Sequence, residues 1–129
     1  MGVHVNSNTT RFAKTFLEQK RRQLVALRAQ LKRALEAQAS EEKAVYDEAG
    51  ESGEHEEEAQ RLAMLEVDEN LASRTAARLA HIERALKKID EGTYGVSDDS
   101  GELIPIERLN AVPEAIYTLK EQQARDPVP

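Results

Sequence analysis

The sequence predicts a mainly α protein, in which a long antiparallel hairpin of two helices, paired as a coiled coil, precedes a small module with a short β-hairpin and a C-terminal helix. Two long stretches lack Gly and Pro and carry apolar residues at heptad spacing. A third of the chain is charged and only 4% is aromatic, which is typical of long helices. All four prolines lie after residue 91, which indicates a different kind of structure there.

We divide the chain into four parts. Residues 1–9 are expected to be a flexible N-terminus, and residues 10–91 form the helical hairpin with its tip near residues 50–59. Residues 92–124 form the C-terminal module, and residues 125–129 are expected to be a flexible tail.

The first helix is predicted to start near Thr10, because no Gly or Pro follows until Gly50. Its apolar residues fall into two heptad rows and define a narrow seam on one side of the helix. One row contains Leu17, Leu24, Leu31 and Val45, interrupted by Gln38, and the companion row contains Leu27 and Ala34.

The second helix is predicted over residues 54–91 and carries a seam of similar length. Its rows are Leu65, Ala72, Leu79 and Leu86 on one side, and Thr75, Ile82 and Ile89 on the other. Because Gly50 and the following residues allow a tight reversal, the two seams are expected to bury each other in an antiparallel hairpin. At about 1.5 Å per residue, each helix can reach roughly 50 Å.

The hairpin tip is acidic, since no Lys or Arg occurs between Lys43 and Arg61. The acids are Asp47, Glu48, Glu51, Glu54, Glu56, Glu57 and Glu58. Acids in the first turn of a helix favour its positive dipole end, but this accounts for only some of them. Such a cluster is suited to reach a metal ion or a basic cavity in another macromolecule. His55 is interpreted as a solvated loop residue.

The C-terminal module is predicted to contain two short strands, residues 93–96 and 102–106, around a turn at residues 97–101. Pro113 suits the first turn of a last helix that runs to about Ala124. In this arrangement three residues of the last helix pack on three residues of the hairpin: Ala115, Ile116 and Leu119 on Tyr94, Leu103 and Ile106.

Composition excludes several functions. The chain has no cysteine, which rules out disulfides, thiolate zinc sites and a cysteine nucleophile. A net charge of −6 argues against a general nucleic-acid binder. No apolar run approaches the roughly 20 residues that span a membrane, so we expect a cytoplasmic protein. No nucleophile–base pair or phosphate-binding glycine loop is present, so neither an enzyme nor a cofactor is predicted.

The module nevertheless has the frame of a zinc knuckle, and it resembles the C-terminal region of the DksA/TraR family. The matching residues are Gly92, Thr93, Tyr94, Gly95, Gly101, Ile104, Pro105, Arg108, Leu109, Ala111 and Pro113. The family's two cysteine pairs fall on Ser97 and Ser100, and on Thr118 and Glu121. Hydroxyls are poor zinc ligands, so the resemblance implies a zinc-less member whose frame folds on hydrogen bonds and a small apolar cluster.

The resemblance also implies a function. Family members bind bacterial RNA polymerase directly, without sequence-specific DNA binding, and insert the hairpin into its secondary channel to modulate initiation. Their acidic tip motif, Asp-x-x-Asp-x-Ala, falls on Glu54, Glu57 and Ala59 here. An arginine that contacts the channel rim falls on Arg74.

The response to ppGpp is doubtful, because positions that are basic in responsive members carry His81, Val112 and Gln122 here. We expect a monomer. Two alternatives remain open: a structural or adaptor coiled coil without polymerase activity, and a transcript-cleavage helper whose tip carboxylates place a second magnesium ion in the polymerase.

Overall fold

The structure, a computed structural model, describes residues 11–52 and 55–126. It does not cover the side chains of residues 42, 44–52, 55–58 and 61–69. The predicted N-terminal segment of residues 1–9, the turn residues Gly53 and Glu54, and most of the predicted tail therefore lie outside the described residues.

Four helices have their bounds within the described residues, and the mainly α fold class is confirmed. They are α1, Lys14–Ser52; α2, His55–Glu91; α3, Ile106–Ala111; and α4, Leu119–Arg125. The first helix begins four residues after the predicted Thr10 and continues through Gly50, while the second begins one residue after the prediction. None of the helices in the described part of the chain has an apolar stretch long enough to cross a membrane.

The chain separates into two compact units. The first takes in the residues up to Arg28 together with those from Ala80 onward, and the second takes in Ala29–Leu79. Each unit contains a part of α1 and a part of α2.

In the first unit, α1 and α2 pack through the predicted seam. Leu24 and Ile82 are fully buried, and Leu86 and Ile89 are each 8% exposed. Two ion pairs flank the seam, Arg21 with Asp90 at 2.6 Å and Arg28 with Glu83 at 2.8 Å. From the first ion pair to the second, the residue number rises by seven in α1 and falls by seven in α2, which confirms the antiparallel pairing. These exposed ion pairs contribute at most about 1 kcal/mol each.

In the second unit the same periodicity continues with shallower burial. Leu31, Ala72, Thr75 and Leu79 are half-buried, as the heptad rows predict. Ala34, which the heptad pattern predicts in the companion row, is exposed. It lines a groove between the two helices together with Gln38 and Thr75. Small side chains leave this part of the seam open to solvent.

The module begins where α2 ends at Gly92. Gly92 has φ of 81°, and its N–H and that of Thr93 donate to the carbonyls of Ile89 and Lys88. This left-handed residue closes the helix in the manner usual for glycine. The predicted hairpin is reduced to one antiparallel bridge between Val96 and Leu103.

The last helix differs from the prediction in its position. A short helix, α3, starts directly after Pro105, while Pro113 lies in a turn and the C-terminal helix α4 begins only at Leu119. The side chain of Thr118 caps α4 through a capping box with Glu121, which fixes the later start. The N–H of Asp98 donates to the carbonyl of Ile116 at 2.8 Å, which holds the preceding segment in a non-helical conformation.

The apolar cluster of the module is only partly the predicted one. Tyr94, Ala115 and Ile116 are buried as expected. Leu103, Ile106 and Leu119 are instead exposed. The predicted helix from Pro113 begins only at Leu119, and Ile106 starts α3 instead of ending a strand. Their places in the core are taken by Phe12, Ile104 and Leu109.

Candidate functional site

The four positions that carry cysteines in the zinc-binding pattern come together in one hydrogen-bonded cluster. The Ser97 hydroxyl donates to Glu121 Oε1 at 2.5 Å, and the Thr118 N–H donates to the same oxygen at 2.9 Å. In return, the Glu121 N–H donates to Thr118 Oγ1 at 3.2 Å. We call Ser97, Ser100, Thr118 and Glu121 the oxygen clasp.

The two serines of the oxygen clasp also organise the turn between them. Ser97 Oγ, on a residue only 4% exposed, accepts from the N–H groups of Asp99 and Ser100 at 3.0 and 3.2 Å. Ser100 Oγ accepts from the N–H of Glu102 at 3.2 Å. The clasp thus satisfies backbone donors of the turn as well as joining it to the start of α4.

The charge of the oxygen clasp resides on Glu121. Hydrogen bonds from the Ser100 and Ser97 hydroxyls and from the Thr118 N–H lower the pKa of the Glu121 carboxyl to about 2. The group is therefore a carboxylate at neutral pH, with donors from both sides of the cluster directed at it.

The oxygen clasp does not fit a structural zinc ion. Such a site uses four Cys or His ligands, and three of the four groups here offer neutral hydroxyls. The hydroxyl of Ser97 and the carboxylate of Glu121 are already bound to each other. In the part of the chain that the structure describes, no three His, Cys, Asp or Glu side chains are grouped so that they could hold a metal ion.

A second cluster fastens the module to α2. Asp98 receives two hydrogen bonds from Arg84, at 2.7 and 3.0 Å, and one from Lys88 Nζ at 2.6 Å. The side chain of Lys88 is only 2% exposed. Hydrogen bonds from Arg84 first, and then from Lys88, lower the pKa of Asp98 to about 2. This cluster joins α2 to the turn through three charge-assisted hydrogen bonds.

The sequence does not predict this cluster, because a lysine on a helix flank is usually a solvated partner for Glu. The available signal was the spacing of Arg84 and Lys88, which places two cations on one helix face one turn apart. That signal does not specify that a turn ten residues further on supplies the carboxylate.

The N-terminal end of the described chain closes the module from the other side. Arg11 donates from its two terminal nitrogens to the carbonyls of Gly95 at 2.9 Å and Ile104 at 2.7 Å. Phe12 is 6% exposed and stacks on Phe16, with ring centroids 4.8 Å apart, and lies 6.0 Å from the Tyr94 ring. We call Arg11 and Phe12 the N-terminal strap. Neither residue belongs to a pattern in the sequence that marks it as functional.

The predicted tip residues are only partly described. Glu54 lies outside the described residues, and Glu57 lies in α2 with its side chain outside the description. Ala59 is exposed on α2, and so is Arg74, the predicted rim contact. The geometry of the acidic tip therefore stays a prediction.

The three positions considered for ppGpp have ordinary structural surroundings. His81 packs edge-on against the Tyr117 ring, and the Arg125 guanidinium also lies 4.0 Å from the centroid of that ring. Val112 is half-buried, and the Gln122 side chain donates to Asp126 at 2.8 Å.

Comparison with solved structures defines the class of fold. The chain matches transcription factor DksA2 from Pseudomonas aeruginosa with a TM-score of 0.69 and 21% identity, over 87% of this chain and 84% of that one. It matches the RNA polymerase binding protein and transcriptional regulator Dks from Chlamydia trachomatis with a TM-score of 0.56 and 24% identity, over 88% and 90% of the two chains. The fold is that of DksA.

Sequence relatives agree with this assignment. An uncharacterized protein of Aquifex aeolicus is 34% identical over 83% of this chain and 74% of its own length. The RNA polymerase-binding transcription factor DksA of Caulobacter vibrioides is 32% identical over 50% of this chain. General stress protein 16O of Bacillus subtilis is 50% identical over 34% of it. No protein-family model matches the chain. The chain belongs to the DksA/TraR-like family and contains no cysteine.

The shared region is short relative to some of these proteins. The chain spans 27% of the length of general stress protein 16O and 48% of the Caulobacter DksA.

Proposed function

We propose that this chain is a bacterial transcription regulator that binds RNA polymerase directly through the secondary channel and modulates initiation with its acidic hairpin tip. The action is non-enzymatic: the protein inserts, alters the electrostatic potential near the polymerase's catalytic metal, and shifts the population of open promoter complexes.

The observation that supports this proposal best is the oxygen clasp. Hydrogen bonds of 2.5 to 3.2 Å link the four positions of the oxygen clasp, although none of them carries a cysteine or a histidine. The hydrogen bonds of the oxygen clasp hold the module in its shape where the family has zinc ligands, which indicates that this shape matters for function. The similarity to a protein named as an RNA polymerase-binding transcription factor supplies the kind of partner.

The tip is proposed to act through Glu54 and Glu57, with Ala59 completing the motif. Both acids keep the negative charge of the family's aspartates, and each extends its carboxylate by one methylene. A carboxylate near a bound divalent cation changes the local charge by one unit in a region of low dielectric, where such a change is weakly screened. Arg74, exposed on α2, is proposed as a contact with the channel rim.

A weak response to ppGpp is proposed for this chain. Arg84 and Lys88, two cations of α2 next to the module, are already bound to Asp98. Releasing Lys88, whose side chain is 2% exposed, would leave Asp98 with one partner fewer. Titration of the protein–polymerase complex with ppGpp tests this, and tight binding that is lost on substitution of Lys87 would contradict it.

The central experiment measures binding to core polymerase and open-complex lifetime separately. Glu54→Ala with Glu57→Ala should leave binding within about twofold and abolish the effect on lifetime, because the tip contributes charge rather than affinity. Glu36→Ala with Glu41→Ala is the matched control, since it removes two exposed acids of α1 away from the tip. The control should retain both properties.

Two results would reject the proposal. Absence of binding to core polymerase by the folded chain would favour the adaptor coiled coil instead. Survival of the lifetime effect in the tip variant would show that the tip assignment is wrong. Cleavage of transcripts in stalled complexes, lost in the tip variant, would support the transcript-cleavage helper.

A further inference from the structure

Three large aliphatic side chains on the module are exposed, although the sequence predicted them to be buried. Leu103 is 60% exposed, Leu119 is 56% exposed and Ile106 is 45% exposed. They come from the bridge strand and from the first residues of α4 and α3. Single exposed apolar residues are common on protein surfaces, but a group of three on one small module requires an explanation.

Two of these side chains line a groove on the module. Leu103 and Leu119 lie in it together with Pro105 and Ala111, so that its bed is apolar. Charged residues of both signs also line it: Glu102, Glu107, Arg108 and Lys120. We call this surface the Leu103–Leu119 patch. Its charges sum to zero, whereas the whole chain carries −6.

The charges of this patch differ from the others on the module. Asp98 is paired with Arg84 and Lys88, and Asp99 is paired with Arg125. By contrast, the two acids and two bases of the groove form no ion pair with any of the residues that the structure describes, and Arg108 Nε donates to the carbonyl of Tyr117 at 3.0 Å. An apolar bed bordered by equal numbers of acids and bases that are not engaged in ion pairs is complementary to a surface of the same composition.

We propose that the Leu103–Leu119 patch binds the same patch of a second copy of this chain, forming a two-fold symmetric dimer. In such an isologous contact Glu107 of each copy faces Lys120 of the other, and the leucines meet at the centre. The neutral patch is where two chains of net charge −6 approach with the least repulsion. The dimer replaces the monomer expected from the sequence.

The patch is small, so the dimer is weak. Stable interfaces bury at least about 1,200 Å² in total, and a groove on one short module falls at or below that limit. We therefore expect a monomer at low micromolar concentration and a dimer as the concentration approaches about 1 mM.

Sedimentation equilibrium of the full chain tests the apolar part. Leu103→Gln with Leu119→Gln should weaken the dimer at least about tenfold, because it places polar groups in the bed of the contact. Leu71→Gln is the matched control, since Leu71 is 53% exposed and lies in the other unit. It should leave the dimer unchanged, and circular dichroism verifies that all variants are folded.

Charge reversal tests the symmetry. Glu107→Lys alone and Lys120→Glu alone should each abolish the dimer. In either variant positions 107 and 120 carry the same charge, and they face each other at both symmetric places in the interface. A mixture of the two single variants should form a heterodimer, in which every reversed charge meets its opposite.

Three results would overturn the proposal: a wild-type chain that stays monomeric at about 1 mM, a dimer that survives the leucine substitutions, or a mixture that does not associate. Polymerase binding is measured in parallel. A monomer whose leucine variant no longer binds polymerase would assign the patch to that partner and reject the dimer.

Discussion

Replacing Asp98 by Asn removes the charge that holds Lys88 and Arg84 against the module. Lowering the pKa of this carboxyl from its ordinary 3.8 to about 2 corresponds to about 2.5 kcal/mol of stabilisation, which solvent screening reduces to about 1–2 kcal/mol. The substitution also leaves Lys88, 2% exposed, without a counter-charge, and an orphaned buried charge costs about 3–5 kcal/mol. Because Asn still offers Lys88 an acceptor, we expect a loss of about 2–3 kcal/mol in the free energy of unfolding.

Urea denaturation followed by near-ultraviolet circular dichroism measures this loss. Two of the three tyrosines, Tyr94 and Tyr117, lie in the module, so the signal reports its packing. Asp99→Asn is the matched control: its pair with Arg125, at 3.4 Å, is about half exposed on both sides and contributes less than about 1 kcal/mol.

The pH dependence gives a second measurement of the same contact. The pKa of Asp98 is depressed on folding, so its stabilisation is complete above the unfolded value near 3.8 and is lost as the pH falls through about 2. The difference between wild type and Asp98→Asn should therefore be constant near neutral pH and shrink between about pH 4 and pH 2.

We also expect the effects of substituting Asp98 and Lys88 to be coupled. Because Lys88→Met removes the buried charge, the double variant should lose at least about 1 kcal/mol less free energy of unfolding than the sum of the two single losses. A loss below about 0.5 kcal/mol for Asp98→Asn, or additive losses in the double variant, would refute the account of this cluster.

Three further predictions concern the oxygen clasp, the N-terminal strap and the glycines. Glu121→Gln should lower stability at neutral pH and remove the part of the acid transition that lies between about pH 4.5 and pH 2. A chelator should leave the melting temperature of the wild type unchanged. A melting temperature that drops with chelator would contradict the metal-free assignment. Phe12→Ala should lower the free energy of unfolding, measured by urea denaturation, by about 3–5 kcal/mol and speed hydrogen exchange of the Ile104 amide. An unchanged exchange rate at Ile104 would contradict the role given to the N-terminal strap. Gly95→Ala should destabilise more than Gly101→Ala: both have positive φ, but a Cβ at Gly95 would lie 2.7 Å from the Phe12 ring, and at Gly101 it meets nothing within 4 Å. Equal melting temperatures for the two glycine variants would contradict this comparison.

The helical pair was predictable because its signal is local and repeated. Leu24, Ile82 and Ile89 recur at heptad spacing, and one-sided apolar residues on a helix have to be buried against another surface. That the residues of the oxygen clasp lie close together was predictable for a different reason. Glycines and prolines at fixed spacing restrict the backbone to few conformations.

The remaining features depend on tertiary contacts that have no local signature. Pro113 suits a helix start, but the burial of Ala115 and Ile116 and the cap at Thr118 favour a later one. Once that segment is extended, Leu119 points to solvent. Lys88 is an ordinary helix-flank lysine until the turn at Asp98 packs against it.

The N-terminal strap has a consequence for how the chain is assembled. Arg11 bonds to carbonyls 84 and 93 positions further along, so the strap joins the module across most of the described chain. Contacts this distant in sequence form late, since the intervening chain must be ordered first. During synthesis the strap therefore stays unpaired until residues 95–104 have been made. A bulky group joined close to Arg11 would interfere with this late step of folding.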